Sequence, residues 1–309
     1  SRFTEISQVS AATARMRTSL ASFKKYIPTD LVRTLFAQGI EAELGGERRE
    51  LTILFMDLAN FTHISEMLGE QLIEFLGRYL SEMSDEIQAG RGTIDKYIGD
   101  AIMAFWGAPT PSKHHALEGC RAALACQARV RRLRMANRER HVPEVRVRIG
   151  VNTGTVLVGN VGSNDRLNYT AIGDPVNVAS RLESLNKIYG TEIIIGEHTY
   201  EAARELIVAR PLDRVAVYGK ELGLEMYELL ALSDDAEANT MMAWIAVYEE
   251  ARAALRRRAW NDAIRLFERV IALRGGHDGV STVQIARARA YMASPPPEDW
   301  DGLVIMETK

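Results

Sequence analysis

Gly99-Asp100 separates two apolar runs, Gly92–Ile98 and Ala101–Trp106. A two-residue connection between apolar runs of this kind makes an antiparallel β-hairpin, and a hairpin commits the chain to a sheet. The surrounding patterns say what covers that sheet. Leu51–Met56 reads as a buried strand, and Phe61 to Ala89 repeats its apolar residues with a helical period. Lys113 to Asn137 is helical. Val145–Asn152 and Thr155–Val161 read as strands on either side of Gly154, and Val176 to Tyr189 as a helix. Thr191–Ile195 is a strand, Glu197–Arg204 a short helix, and Ile207–Val217 and Leu224–Leu230 two further strands. This order predicts an α+β sandwich, with helices packed against a mostly antiparallel sheet.

The flanks have a different character. Ile6, Val9, Thr13, Met16, Leu20 and Phe23 are spaced by alternating threes and fours, an a/d seam over residues 1 to about 25. Such a seam serves equally a paired helix or an amphipathic helix docked on its own domain. Pro28 ends it, and Gly39, Gly45 and Gly46 mark a linker. Beyond residue 233, Trp244, Tyr248, Ala251 and Leu255 share one helix face, and Trp260, Ala263, Ile264, Phe267 and Ile271 another. The Tyr248, Ala263 and Phe267 arrangement looks like a single tetratricopeptide-type pair, and an ordinary helical hairpin would give the same pattern. Pro295-Pro-Pro begins an extended tail. The expected division is a transducer segment over 1–46, a catalytic domain over 47–232 and a helical C-terminal segment over 233–309.

Composition narrows the function. At 47% hydrophobic and 26% charged, the chain can bury a sizeable core. A net charge of −3 gives no basic field for nucleic acid. No apolar run approaches the ~20 residues that span a bilayer. Cys120 and Cys126 fit neither a zinc knuckle nor a redox pair, so packed thiols in a cytoplasmic domain are expected. The chain begins Ser1-Arg2-Phe3, without an initiator methionine. The expectation is a longer protein upstream, one that a membrane can anchor.

Three segments carry chemistry. Asp57, in Phe55-Met-Asp-Leu-Ala-Asn-Phe-Thr62, sits where a buried strand gives way to a helix. A carboxylate there caps the helix or holds a hard cation, and the N–H groups that follow, at Phe61 and Thr62, can cradle phosphate. Asp100 lies at the hairpin tip, where Asp is a common turn residue. If the two strands are neighbours, Asp57 and Asp100 converge at one sheet edge and repel unless a cation lies between them. In Asn168 to Glu183, Asp174 and Pro175 open a helix on which Asn177 and Arg181, four apart, share a face. Two such donors suit negative charge developing on phosphorus. An Arg181–Glu pair on a surface helix is the plainer reading.

Together the motifs Phe-x-Asp-x-x-x-Phe-Thr, Lys-x-x-Gly-Asp-Ala and Gly-Asp-x-Val-Asn-x-Ala-x-Arg resemble those of the class III adenylate and guanylate cyclases, over about residues 49–230. The resemblance implies a ferredoxin-like cyclase fold that converts ATP to 3′,5′-cyclic AMP and pyrophosphate. It implies two Mg²⁺ or Mn²⁺ ions held by Asp57, Asp100 and the Leu58 carbonyl. Lys96 and Thr170 match the residues that read the purine, Asn177 the one that orients the ribose, Arg181 the one that stabilises the pentacovalent phosphorus, and Lys220 a triphosphate contact. The family's sites lie between two subunits, so a homodimer with shared sites is implied. The segment around Phe23–Val32 resembles the stretch that precedes cyclase domains in multidomain sensors.

Two positions depart from the commoner pattern. Asn60 stands where many relatives have Gly, and it tolerates a left-handed turn. Thr170 replaces an Asp but keeps a hydroxyl that can accept from the adenine amino group; the Lys/Thr pairing is a subtype that in some members responds to bicarbonate. A guanylate cyclase needs an acidic residue at position 96, where this chain has Lys96. A silent nucleotide-binding or dimerisation module typically loses a metal carboxylate or the Asn/Arg pair, and both are present. A diguanylate cyclase would carry a Gly-Gly-Asp-Glu-Phe-type turn, which is absent.

Overall fold

The computed structural model describes residues 13, 16, 43–138, 145–163, 166–216 and 223–305, and among them one nine-stranded sheet organises the chain. Strand β1 (Gly45–Leu58) leads to helices α1 (Phe61–Leu68) and α2 (Leu72–Ala89), hairpin strands β2 (Thr93–Ile98) and β3 (Ala101–Trp106), and helix α3 (His115–Arg138). Next come β4 (Val147–Ser163), β5 (Arg166–Ile172), α4 (Asp174–Tyr189), β6 (Ile193–Gly196), α5 (Glu197–Ala203), β7 (Ile207–Ala216) and β8 (Gly223–Leu232). Helices α6 (Ala238–Arg256), α7 (Trp260–Leu273) and α8 (Gly279–Ala293) and strand β9 (Leu303–Ile305) follow.

The strands lie in the order β2-β3-β1-β4-β6-β8-β7-β9, with β5 paired to β4. Among the described residues only β4–β6 and β7–β9 pair in parallel. The fold is therefore α+β with a mostly antiparallel sheet, as expected. Alternation along β1 explains how both faces are covered. Leu54 and Met56 enter a core with Met83 of α2 and Cys120 and Cys126 of α3, while Leu51 and Ile53 face Ala179 of α4. Both cysteines are free and buried. Among the described residues no helix is long and apolar enough to cross a membrane.

Several local readings need correction. Gly45 and Gly46 belong to β1, paired with Asn160 and Gly159, rather than to a linker. Gly154 does not divide two strands. It lies within β4, and a Cβ there would come within 2.7 Å of the Pro175 ring, so its role is to admit α4. The helical stretch after Phe61 is broken at Gly69, whose φ is +50°. Strand β5 and helix α8 were not expected. The seam over residues 1–25 lies outside the described residues except for Thr13 and Met16, both helical.

The C-terminal helices share a core with the sheet, joining Trp244, Tyr248 and Phe267 to Leu182 and Tyr189 of α4 and Met226 of β8. Polar clamps fix them. Three steps along β7, from Pro211 to Arg214, match two along β8, from Tyr227 to Glu225. That bulge turns both Arg210 and Asp213 toward α8. The fully buried Arg210 donates to Asp278 at 2.7 and 2.8 Å and to Glu228 at 2.6 Å, with the rings of Trp244 and Tyr248 about its guanidinium. Asp213 accepts from Tyr189, Gln284 and Arg287. The strand thus presents a cation to a helix anion and an anion to a helix cation, which fixes one register.

Burial raises the Asp278 carboxyl, but the hydrogen bonds and charge of Arg210, with Ser281 and Arg274, outweigh it and hold the group at about 2. Its stabilising contribution is complete above the ordinary carboxylate range and disappears as pH falls through about 2. Arg210→Met leaves Glu228 a buried charge without its partner and Asp278 with Arg274 as its remaining cation. It is expected to reduce the unfolding free energy by about 3–5 kcal/mol, read as a lower urea midpoint at pH 7. An unchanged midpoint refutes this account of the docking.

Candidate active site

β1 and β3 pair antiparallel with Met56 opposite Ile102. This register carries the end of β1 and the tip of the β2–β3 hairpin to the same sheet edge. Gly99 makes the turn with φ +66°. The Leu58 N–H donates to Asp100 Oδ2 at 3.3 Å. Burial first, then a hydrogen bond to Asp57 and that residue's charge, push Asp100 up to about 7. Two hard carboxylates held together fit a divalent cation, whose charge would relieve their repulsion. Among the described residues no group of three or more His, Cys, Asp or Glu side chains gathers as a metal site, so the donors on offer are this pair and nearby backbone oxygen.

Helix α1 begins directly after the pair. Asn60 adopts the left-handed conformation, φ 60° and ψ 34°, as the sequence led one to expect, and makes no side-chain cap. The N–H groups of Phe61 and Thr62 lie in the first turn, where intrahelical partners are lacking.

Arg148 escaped the sequence reading. It is paired with Asp57 across the β1–β4 register, and its guanidinium lies 3.0 Å from Asp57 Oδ2 and 2.8 Å from Glu183 Oε1. Burial pushes Glu183 above the usual carboxylate range against the pull of Arg148. The signal was available: in an alternating strand, Arg148 falls between the buried Val147 and Ile149.

Lys96 and Thr170 meet within the chain, Lys96 Nζ donating to Thr170 Oγ1 at 3.1 Å. Their strands are β2 and β5. The β2–β3 register slips between Ile94 and Lys96, so Asp95 is an extra residue there. That bulge buries the Asp95 side chain, which accepts from the Thr170 hydroxyl at 2.5 Å. Asp95 also escaped the sequence reading.

Helix α4 sits hard on the sheet: a Cβ on Gly150 would fall 2.2 Å from the Ala179 carbonyl oxygen and from the Glu183 nitrogen. Its buried face is Val178, Ala179, Leu182, Glu183 and Asn186. Asn177 and Arg181 are exposed on the other side. At 100° per residue, Arg181 points about 160° away from Glu183 and so away from Arg148 and Asp57. The structure therefore groups Asp57 with Asp100, and Lys96 with Thr170, but directs Asn177 and Arg181 elsewhere. Lys220 lies outside the described residues.

The profile of the adenylate and guanylate cyclase catalytic domain matches residues 46–231. The chain belongs to this family. The chain is similar to adenylate cyclase 1 of Rhizobium meliloti, with 38% identity over 237 residues, 75% of this chain and 35% of that protein. It is 37% identical to the adenylate cyclase of Anabaena cylindrica, over 74% of this chain and 47% of the relative. It thus spans less than half the length of these curated relatives. The crystal structure of the adenylyl cyclase CyaB from P. aeruginosa matches with 36% identity and a TM-score of 0.56, covering 60% of this chain and 96% of that one. Domains of this family act on nucleotides and use divalent metal ions.

Proposed function

We propose that residues 47–232 are an adenylate cyclase catalytic domain, which converts ATP to 3′,5′-cyclic AMP and pyrophosphate at two sites shared by a homodimer. The observation that carries the choice of purine is the contact between Lys96 and Thr170. An ammonium donates to adenine N1, which accepts, whereas guanine N1 bears a hydrogen. The threonine oxygen accepts from the 6-amino group. The names of the relatives agree with this choice.

Asp57 and Asp100, with the Leu58 carbonyl, would hold two Mg²⁺ or Mn²⁺ ions, which when bound supply acidification of the ribose 3′-hydroxyl and charge neutralisation on the pyrophosphate. The chain's own groups do the positioning. Phe61 and Thr62 offer N–H groups to phosphate at the α1 terminus. Arg148 balances the paired carboxylates. Asn177 orients the ribose, Arg181 neutralises charge gathering on the α-phosphoryl oxygens, and Lys220 contacts the triphosphate. No side-chain base is needed, since alignment and electrostatics supply the rate. The opposed faces of α4 support the shared site, because one chain's Arg181 points away from its own Asp57. The domain works in the cytoplasm beneath an upstream sensor, in a protein that a membrane can anchor; the greater length of the relatives supports such an arrangement.

The test is to incubate the purified chain with ATP or GTP and Mg²⁺ or Mn²⁺ and identify the product. Cyclic AMP is expected. Preferential formation of cyclic GMP, or no product from either nucleotide, overturns the reading. In the same assay Lys96→Glu is expected to lower kcat/KM for ATP about tenfold to a hundredfold. Unchanged ATP kinetics would mean that Lys96 does not touch the base.

A further inference from the structure

Asp95 has no part in the roles assigned so far, yet it is the most enclosed charge near the purine-reading pair. Its side chain is fully buried. Oδ2 accepts from Thr170 Oγ1 at 2.5 Å. Oδ1 lies 3.1 Å from Lys96 Nζ as an ion pair and makes no hydrogen bond. Thr170 is itself only 6% exposed.

A hydroxyl has one hydrogen and two lone pairs, and a carboxylate paired with an ammonium only accepts. The hydrogen of Thr170 is therefore committed to Asp95. One lone pair takes the Lys96 hydrogen bond. What Thr170 has left to offer a ligand is a lone pair. We infer that Asp95 is a positioning residue that fixes the polarity of the Thr170 hydroxyl, so that position 6 of the purine must present a donor. An exocyclic amino group is accepted and a carbonyl oxygen is refused. The inference rests on the reading of Lys96 and Thr170 as base contacts.

Burial gives the arrangement its force. A threonine hydroxyl in water turns to suit either partner, and alone it selects nothing. Here the acceptor behind it is sealed from water, and turning the hydrogen outward would leave a buried carboxylate oxygen unsatisfied, which is costly. The sequence produces this by one irregularity. With regular alternation Asp95 and Lys96 would point to opposite faces of β2; the bulge between Ile94 and Lys96 brings both to Thr170.

The plainer role for Asp95 is a counter-ion that holds Lys96 and has no say in position 6. The two roles differ in a ratio. ATP and purine riboside triphosphate share the N1 acceptor and differ only in the 6-amino group. The kcat/KM for ATP over that for the riboside analogue therefore isolates the contact made by Thr170. For the parent a ratio of roughly three to ten is expected, the usual worth of one neutral hydrogen bond. Thr170→Val should bring the ratio to about one, and Thr170→Ser should keep it. In Asp95→Asn the new amide can donate to Thr170, whose hydrogen is then free to face the base, and the ratio should fall to about one or below.

An Asp95→Asn chain that loses rate equally on both substrates, with the parental ratio intact, overturns the inference and leaves Asp95 a counter-ion. A parental ratio near one also overturns it. A parental ratio that survives Thr170→Val refutes the base-reading assignment itself, and the inference with it. If Asp95→Asn lacks a cooperative thermal transition, Asp95→Ala, which removes the acceptor outright, gives the same comparison with the same outcomes.

Discussion

Chains carrying Asp57→Asn or Asp100→Asn are expected to form no measurable cyclic product, a loss of about three orders of magnitude or more, while being no less stable than the parent. The first half follows from charge: each substitution removes half of the anionic donor set at the sheet edge. The second follows from the repulsion that the pair stores. Asp100 is held above the ordinary carboxylate range by burial and by Asp57. The folded chain therefore binds more protons than the unfolded chain between pH about 4 and about 7, and the pair costs stability as pH rises through that window. In metal-free buffer at pH 8 either asparagine variant should melt at the parental temperature or above it. Appreciable turnover refutes the assignment, and a clearly lower melting temperature refutes the repulsion. An inactive variant that has gained stability marks a functional site rather than a structural one.

The second large effect is a recovery. Asp57→Asn and Arg181→Ala should each be inactive as homodimers. Mixed, they form heterodimers in which one site carries both lesions and the other carries none. Turnover should return to about half of the parental value per heterodimer if the two sites act independently. The geometry behind this is the face of α4 away from Glu183, which sends Arg181 out of reach of its own Asp57. The parent's specific activity should also fall on dilution, because a lone chain has no complete site. If heterodimers form, as judged by co-purification of two tags, and no activity returns, the site is contained in one chain.

Much of the fold could be read from the sequence where one kind of residue did one job. The Gly99-Asp100 turn, the apolar β1 and the Pro175 start of α4 are local signals, and local signals survive folding. Helix α8 was hidden because its buried face holds Ser281 and Gln284 beside Val280 and Ile285. Gln284 answers Asp213 across the fold, and Ser281 answers Asp278, the helix cap that holds Arg210; periodicity cannot know that. Strand β5 did carry a signal, which the sequence reading passed over: Leu167, Tyr169 and Ala171 alternate with Arg166, Asn168 and Thr170. At the site the motif residues announced themselves, and their supports did not. Arg148 and Glu183 find each other 35 residues apart, and Asp95 reaches Thr170 only because a bulge turns it inward. A single sequence states which groups are present; register and bulges decide which of them meet.

The clamp on β7 also has a history in time. Arg210 is fully buried, and Asp278, which holds it by two hydrogen bonds, lies 68 residues further along the chain. A ribosome adding about 5–20 residues each second needs roughly 3–14 s to cover that distance. During that interval the strand carries a cation beside apolar neighbours, met first by Glu228 and then by the rings of Trp244 and Tyr248. The polar clamp on β7 can therefore be completed only after the start of α8 has been made.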